Sequence, residues 1–144
     1  MYNISKTSDL KRQILKGGTK LAERRKFFRL PTSIKVSYHR SHSSEKERTS
    51  FTKNISLGGI WLIADEELEE LDSLALKIFI PGSIKPINAI GEVVWVKEFT
   101  KGGLSAGGKF DVGIKFIKID EKDTKEIEKY ISSEAAKQFD KRYL

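Results

Sequence analysis

The sequence predicts a mainly β fold: a six-stranded antiparallel barrel, closed or nearly closed, with a short helix ahead of it and a second helix behind it. Three observations point there. Apolar residues alternate with period two through most of residues 34–119, as strands with one buried face require. The breaks between these runs have hairpin length and are polar or rich in Gly and Pro. Helical periodicity occurs only outside this region, at 8–16 and 120–140.

Taken in order, SDLKRQILK (8–16) reads as a short helix. Ser8 or Asp9 can cap it, Leu10 and Ile14 share one face, and Gly17-Gly18 ends it and forms a hinge. The first strand is IKVSYHR (34–40), where Ile34, Val36 and Tyr38 alternate with polar neighbours. RSHSSEKE (40–47) is a polar turn. ERTSFTKNIS (47–56) is a second strand, largely polar around Phe51, and GGIWLIA (58–64) is a third. DEELEELDS (65–73) is acidic and is expected to be a solvated loop or a single helical turn. LALKIFI (74–80) is the fourth strand, and PGSIKP (81–86) the turn after it. INAIGEVVWVKEF (87–99) is a long fifth strand, with Gly91 marking a bend or bulge. KGGLSAGG (101–108) is a glycine-rich hairpin loop, and KFDVGIKFIKI (109–119) is the last strand. In the helix that follows, Asp120 or Asp123 can cap, with Asp123 and Glu126 at capping-box spacing. Ile127, Tyr130, Ile131, Ala135 and Phe139 form its apolar stripe, which a sheet or a partner would cover. Two units result: a basic N-terminal helix and hinge over 1–19, and a barrel with its C-terminal helix over 20–144.

Composition narrows the chemistry. The 144 residues suffice for one domain with a real core. The absence of cysteine excludes disulfides, thiolate zinc sites and cysteine nucleophiles. His39 and His42 are the only histidines and flank a polar turn, so neither a histidine-rich metal site nor a catalytic triad is expected. No cofactor, no catalytic residue and no metal ligand is assigned, and the protein is read as a non-enzyme. Without an apolar membrane span or a signal-peptide core, a cytoplasmic location without membrane insertion is the expectation. The net charge is +7, and it arises wholly within residues 1–30, which hold nine basic side chains against Asp9 and Glu23. Such a segment attracts phosphates, nucleic acid or an anionic surface, or is simply a solvated tail.

Two short stretches stand apart. RRKFFR (24–29) sets three arginines and a lysine around two phenylalanines. NISLGG (54–59) joins two strands and offers the Asn54 amide, the Ser56 hydroxyl and the permissive backbone of Gly58 and Gly59. Together, Arg25-x-x-x-Arg29 and Asn54-x-Ser56-x-x-Gly59 resemble the paired signature of PilZ domains, which bind cyclic di-GMP. Both halves are complete, Asn54 being an accepted variant of aspartate. Glu23-Arg24 ahead of the first half, GEVVWV (91–96), DVGIKF (111–116) and the capped C-terminal helix extend the resemblance over about residues 20–135.

The resemblance implies a PilZ-type barrel and a ligand set of Arg24, Arg25, Arg29, Asn54, Ser56, Gly58 and Gly59. An arginine fork matches the O6/N7 edge of guanine, worth roughly 1–3 kcal/mol per good pair by analogy with DNA readout. By the same resemblance, Asn54 takes the guanine Watson–Crick side and Ser56 donates to phosphate or base, while Gly59 lets the backbone turn close beneath the ligand. Arg24 is either solvent-exposed or a third guanidinium, which would favour two stacked ligand molecules. Phe27 and Phe28 are expected to anchor the loop in the barrel. The implied role is a receptor whose N-terminal segment changes conformation on binding and signals to an unidentified protein partner. Motility, biofilm and exopolysaccharide control are the outputs the family implies, with the chain a monomer or homodimer. Two rivals remain: a barrel binding single-stranded nucleic acid, which is disfavoured, and a PilZ-like interaction module that does not use the nucleotide.

Overall fold

The structure is a computed structural model that describes residues 28–99 and 109–143. Its strands are β1 (Leu30–Pro31), β2 (Lys35–Arg40), β3 (Arg48–Ile55), β4 (Gly59–Ala64), β5 (Ser73–Phe79), β6 (Ile87–Phe99) and β7 (Lys109–Ile119), followed by helix α1 (Glu121–Tyr143). Every pairing is antiparallel, and the contacts run β2–β3–β4–β7–β6–β5 and back to β2. Six strands thus close on themselves, which removes the exposed edges that an open sheet would leave. The expected mainly β barrel with a C-terminal helix is the fold observed. The expected N-terminal helix at 8–16, the Gly17-Gly18 hinge and the glycine-rich 101–108 loop lie outside the described residues.

The core is the inward half of the alternation. Val36 and Tyr38 on β2, Ile60 and Leu62 on β4, Leu74, Leu76 and Ile78 on β5, and Val112 and Ile114 on β7 are all buried. Gly91 marks a bulge, as expected, with the β6–β7 register shifting between Ile90 and Gly91. A second shift lies between Val93 and Trp95, a position at which the sequence carries no glycine to announce it. On β3 the alternation runs against intuition. Phe51 is half-exposed, while Thr52 and Asn54 are buried. The segment before β2 satisfies Thr52, whose Oγ1 donates to Thr32 O (2.6 Å) and accepts from Ile34 N (2.9 Å), while Asn54 Oδ1 accepts from Arg29.

Three expectations need correction. The 65–73 stretch is a loop, but not a merely solvated one. Leu68 is buried in the core, and Glu66 and Asp72 pair with Arg48 (2.9 Å) and Arg40 (3.3 Å). Its acidic composition conceals one apolar residue that belongs to the core. The strand β1 was not anticipated, because two residues ending in proline carry no period. Nor is Phe28 seated in the barrel, being half-exposed, whereas Leu30 two residues later is fully buried; Phe27 lies outside the described residues.

Helix α1 begins with Asp120 accepting from Asp123 N (3.0 Å) and Thr124 N (2.9 Å) through its backbone carbonyl. Ile127 and Ile131 are buried, and Tyr130 and Ala135 pack against the core. The phenol of Tyr130 and the hydroxyl of Thr32 share a hydrogen bond (3.2 Å), which ties the helix to the segment leading out of β1.

Candidate functional site

The site is built where β1 crosses the end of β3. Leu30 pairs with Ile55 and Pro31 with Asn54, and Thr32 N donates to Lys53 O (3.1 Å). Burial of Leu30 fixes the depth of this crossing, and the pairing sets Arg29 beside the β3–β4 turn. There the Arg29 Nη1 donates to Asn54 Oδ1 at 3.4 Å. This is a long, weak hydrogen bond. Arg29 is exposed and Asn54 is buried, so an exposed guanidinium rests on a buried amide.

Ser56 is buried, and its hydroxyl oxygen accepts from Gly58 N (3.1 Å) and Gly59 N (3.2 Å). Its backbone N donates to Gly59 O (2.9 Å), and its hydroxyl also lies 3.3 Å from that carbonyl. The serine therefore closes the turn on itself. Gly58 O in turn accepts from Phe116 N (2.8 Å), pinning the turn to β7. Gly59 begins β4 so close to β7 that a Cβ would overlap the carbonyl oxygen of Ile114. Only glycine permits that approach.

Arg29, Ser56, Gly58 and Gly59 border one cleft of about 370 Å³, whose far side is formed by Val94 and Trp95 on β6. Its floor is the row of β4 and β7 residues including Gly59, Gly113 and Lys115. The described lining carries the cations Arg29 and Lys115 and no carboxylate. A cleft with cationic and amide groups at one lip and an indole at the other suits a flat, anionic, hydrogen-bonding ligand. A second cleft of about 340 Å³, bordered by His39, Glu47 and Lys77, brings together no such set. Among the described residues no group of three His, Asp or Glu side chains could hold a metal ion. No described helix is long and apolar enough to cross a membrane.

The model for the PilZ domain matches residues 23–133, most of the chain. The chain belongs to the PilZ domain family. Solved PilZ-containing structures share its fold. The YcgR PilZ domain from Escherichia coli, solved with c-di-GMP, is 16% identical with a TM-score of 0.61, over 82% of this chain and 98% of that one. The Bacillus subtilis inhibitor of motility MotI/DgrA is 21% identical with a TM-score of 0.62, over 79% of this chain and 52% of that one. The K. pneumonia MrkH–c-di-GMP complex is 19% identical with a TM-score of 0.63, over 82% of this chain and 55% of that one. The chain thus spans about half the length of MotI and MrkH. No curated protein matches it.

Of the residues assigned from the PilZ signature, the structure brings Arg29, Asn54, Ser56, Gly58 and Gly59 to one lip. Arg24 and Arg25 lie outside the described residues. Sequence reasoning assigned no role to Val94, Trp95 and Gly113, which complete the cleft. The available signal was a tryptophan and a glycine in strands otherwise dominated by aliphatic alternation.

Proposed function

We propose that the protein is a non-enzymatic cyclic di-GMP receptor. The observation that carries this is the docking of Arg29 onto the Asn54–Gly59 turn at the edge of the cationic cleft. Family membership supports it, as do the YcgR and MrkH structures, both solved with c-di-GMP. Arg29 and Arg25 supply guanidinium forks for guanine edges and phosphate, with Arg24 adjoining them, and Asn54 offers a donor and an acceptor to a guanine. Ser56, Gly58 and Gly59 hold the turn against β7, so that the ligand meets a rigid lip.

The mechanism is ordering on binding. Arg24, Arg25, Lys26 and Arg29 repel one another, and a doubly anionic ligand offsets half of their charge. The N-terminal unit, residues 1–19, then shifts against the barrel of 20–144 and presents or hides a surface for a protein partner. Control of motility, biofilm or exopolysaccharide is the output, in the cytoplasm, by a monomer or homodimer. The rival of a single-strand nucleic-acid barrel draws on one observation, the row of Phe51, Lys35 and Phe79 across β3, β2 and β5.

Titration of ¹⁵N-labelled protein separates these readings. Cyclic di-GMP should shift the amide signals of Ser56, Gly58 and Gly59 saturably, while those of Lys35, Phe51 and Phe79 stay put. An oligonucleotide that moves the second set, with cyclic di-GMP moving neither, would replace the receptor reading with the nucleic-acid one.

A further inference from the structure

We propose that Tyr130 of α1 is a positioning residue for the nucleotide lip: through its hydrogen bond to Thr32 it holds in place the segment that carries Arg29. The inference rests on the receptor reading above. Arg29 itself is held loosely, by one 3.4 Å bond to Asn54. Where its backbone lies is therefore decided by the residues that follow it. β1 is only two residues long, and one of them, Pro31, has no N–H to donate to β3. So short a crossing opens readily unless it is fastened from elsewhere.

Thr32 is that fastening, and each of its polar groups meets a different partner. Its N–H donates to Lys53 O (3.1 Å), at the point where the β3–β4 register shifts between Thr52 and Asn54. Its carbonyl accepts from Thr52 Oγ1 (2.6 Å), and its hydroxyl shares the 3.2 Å bond with the Tyr130 phenol. The first two partners belong to β3, the strand that also supplies Asn54. The third lies 98 residues further along the chain, on α1. Ile127 and Ile131, one helical turn apart and both buried, fix the rotation of α1 about its axis, which sets the phenol towards Thr32. Thr124 Oγ1 and Lys137 Nζ bond within the helix or to its cap, whereas Tyr130 reaches the barrel. The nucleotide binds while Arg29 stands beside Asn54, so its apparent affinity scales with the fraction of chains in which the crossing is closed. Loss of the phenol lowers that fraction by at most the worth of one hydrogen bond, a factor of roughly 12.

Calorimetry with cyclic di-GMP on Tyr130→Phe should show affinity weakened roughly 2- to 12-fold. Thr32→Val should weaken it by a similar factor, while Thr32→Ser, which keeps the hydroxyl, should bind as wild type does. Because both residues act through one bond, the Tyr130→Phe, Thr32→Val double variant should lose no more than the worse single variant. Amide hydrogen exchange separates positioning from a general loss of stability. In Tyr130→Phe the Thr32 amide should exchange faster while the amides of β4 and β7 stay as protected as in wild type, and saturating cyclic di-GMP should slow it again. Tyr130→Phe binding as tightly as wild type would overturn the proposal. So would single losses that multiply in the double variant, or faster exchange throughout the barrel in place of Thr32 alone. These results leave the receptor reading intact. Absence of heat in the wild-type protein would defeat that reading and the positioning role with it. Should Tyr130→Phe fail to fold, Thr32→Val set against Thr32→Ser decides the question, equal affinities overturning the proposal.

Discussion

Replacing Ser56 with alanine tests whether this motif serine acts on the fold. Its hydroxyl accepts from two backbone amides, Gly58 N at 3.1 Å and Gly59 N at 3.2 Å, in a turn where Ser56 itself is only 4% exposed. Alanine removes the one oxygen that accepts both bonds and leaves the amides of a largely buried turn without it. At about 1 kcal/mol for each lost hydrogen bond, the Ser56→Ala variant should be destabilised by about 2 kcal/mol. Urea denaturation followed by tryptophan fluorescence measures this directly. With a slope of roughly 1–3 kcal/mol per molar, the midpoint should fall by about 1 M with the slope unchanged. The reasoning assigns the serine to the turn, so loss of cyclic di-GMP affinity should accompany loss of stability. A midpoint indistinguishable from wild type, with binding abolished, would refute it and make the hydroxyl a direct ligand contact.

Three further outcomes follow from the same structure. Arg29→Ala should leave the urea midpoint nearly unchanged, because an exposed guanidinium at 3.4 Å contributes well under about 1 kcal/mol, yet it should abolish detectable nucleotide binding. Gly59→Ala should cost about 2 kcal/mol or more, since the added methyl meets the carbonyl of Ile114, a backbone group that cannot swing aside; thermal unfolding checks it. Tyr38 is fully buried, and burial, reinforced by Glu66 and Asp65, pushes its phenol pKa above the ordinary 10.0. The unfolded chain therefore releases this proton at a lower pH than the folded one, so stability falls as pH rises above about 10, by up to about 1.4 kcal/mol per pH unit. Tyr38→Phe should flatten that alkaline limb relative to wild type. It should cost little at neutral pH, because the phenol oxygen has no hydrogen-bond partner among the described residues.

The parts of this molecule legible in its sequence are those governed by local period. β6 at 87–99 and β7 at 109–119 run over the segments their alternation marks, and Gly91 marks its bulge. The signature residues Arg29, Asn54, Ser56, Gly58 and Gly59 could be placed together through resemblance, because their types and spacing are retained. What escaped reading depends on contacts between distant segments. β1 exists only because Leu30 finds a buried place beside Ile55. Leu68 is core although its neighbours in sequence are acids, since burial there is set by packing against residues distant in sequence. Phe51 and Thr52 exchange the sides their polarity suggests, because Thr52 has Thr32 and Ile34 to satisfy it. Trp95 gains its position from a bulge and from a glycine across the strand, neither of which a period of two reveals.

The central claim is tested most directly by isothermal titration calorimetry of the protein with cyclic di-GMP, beside an Arg25→Ala, Arg29→Ala double variant. The receptor account predicts saturable heat in the wild type and none in the variant, with a molar ratio that reports whether one or two nucleotides bind each chain. Wild-type protein that gives no heat at ligand concentrations far above those of a signalling nucleotide, or a double variant that binds as well as wild type, would contradict it.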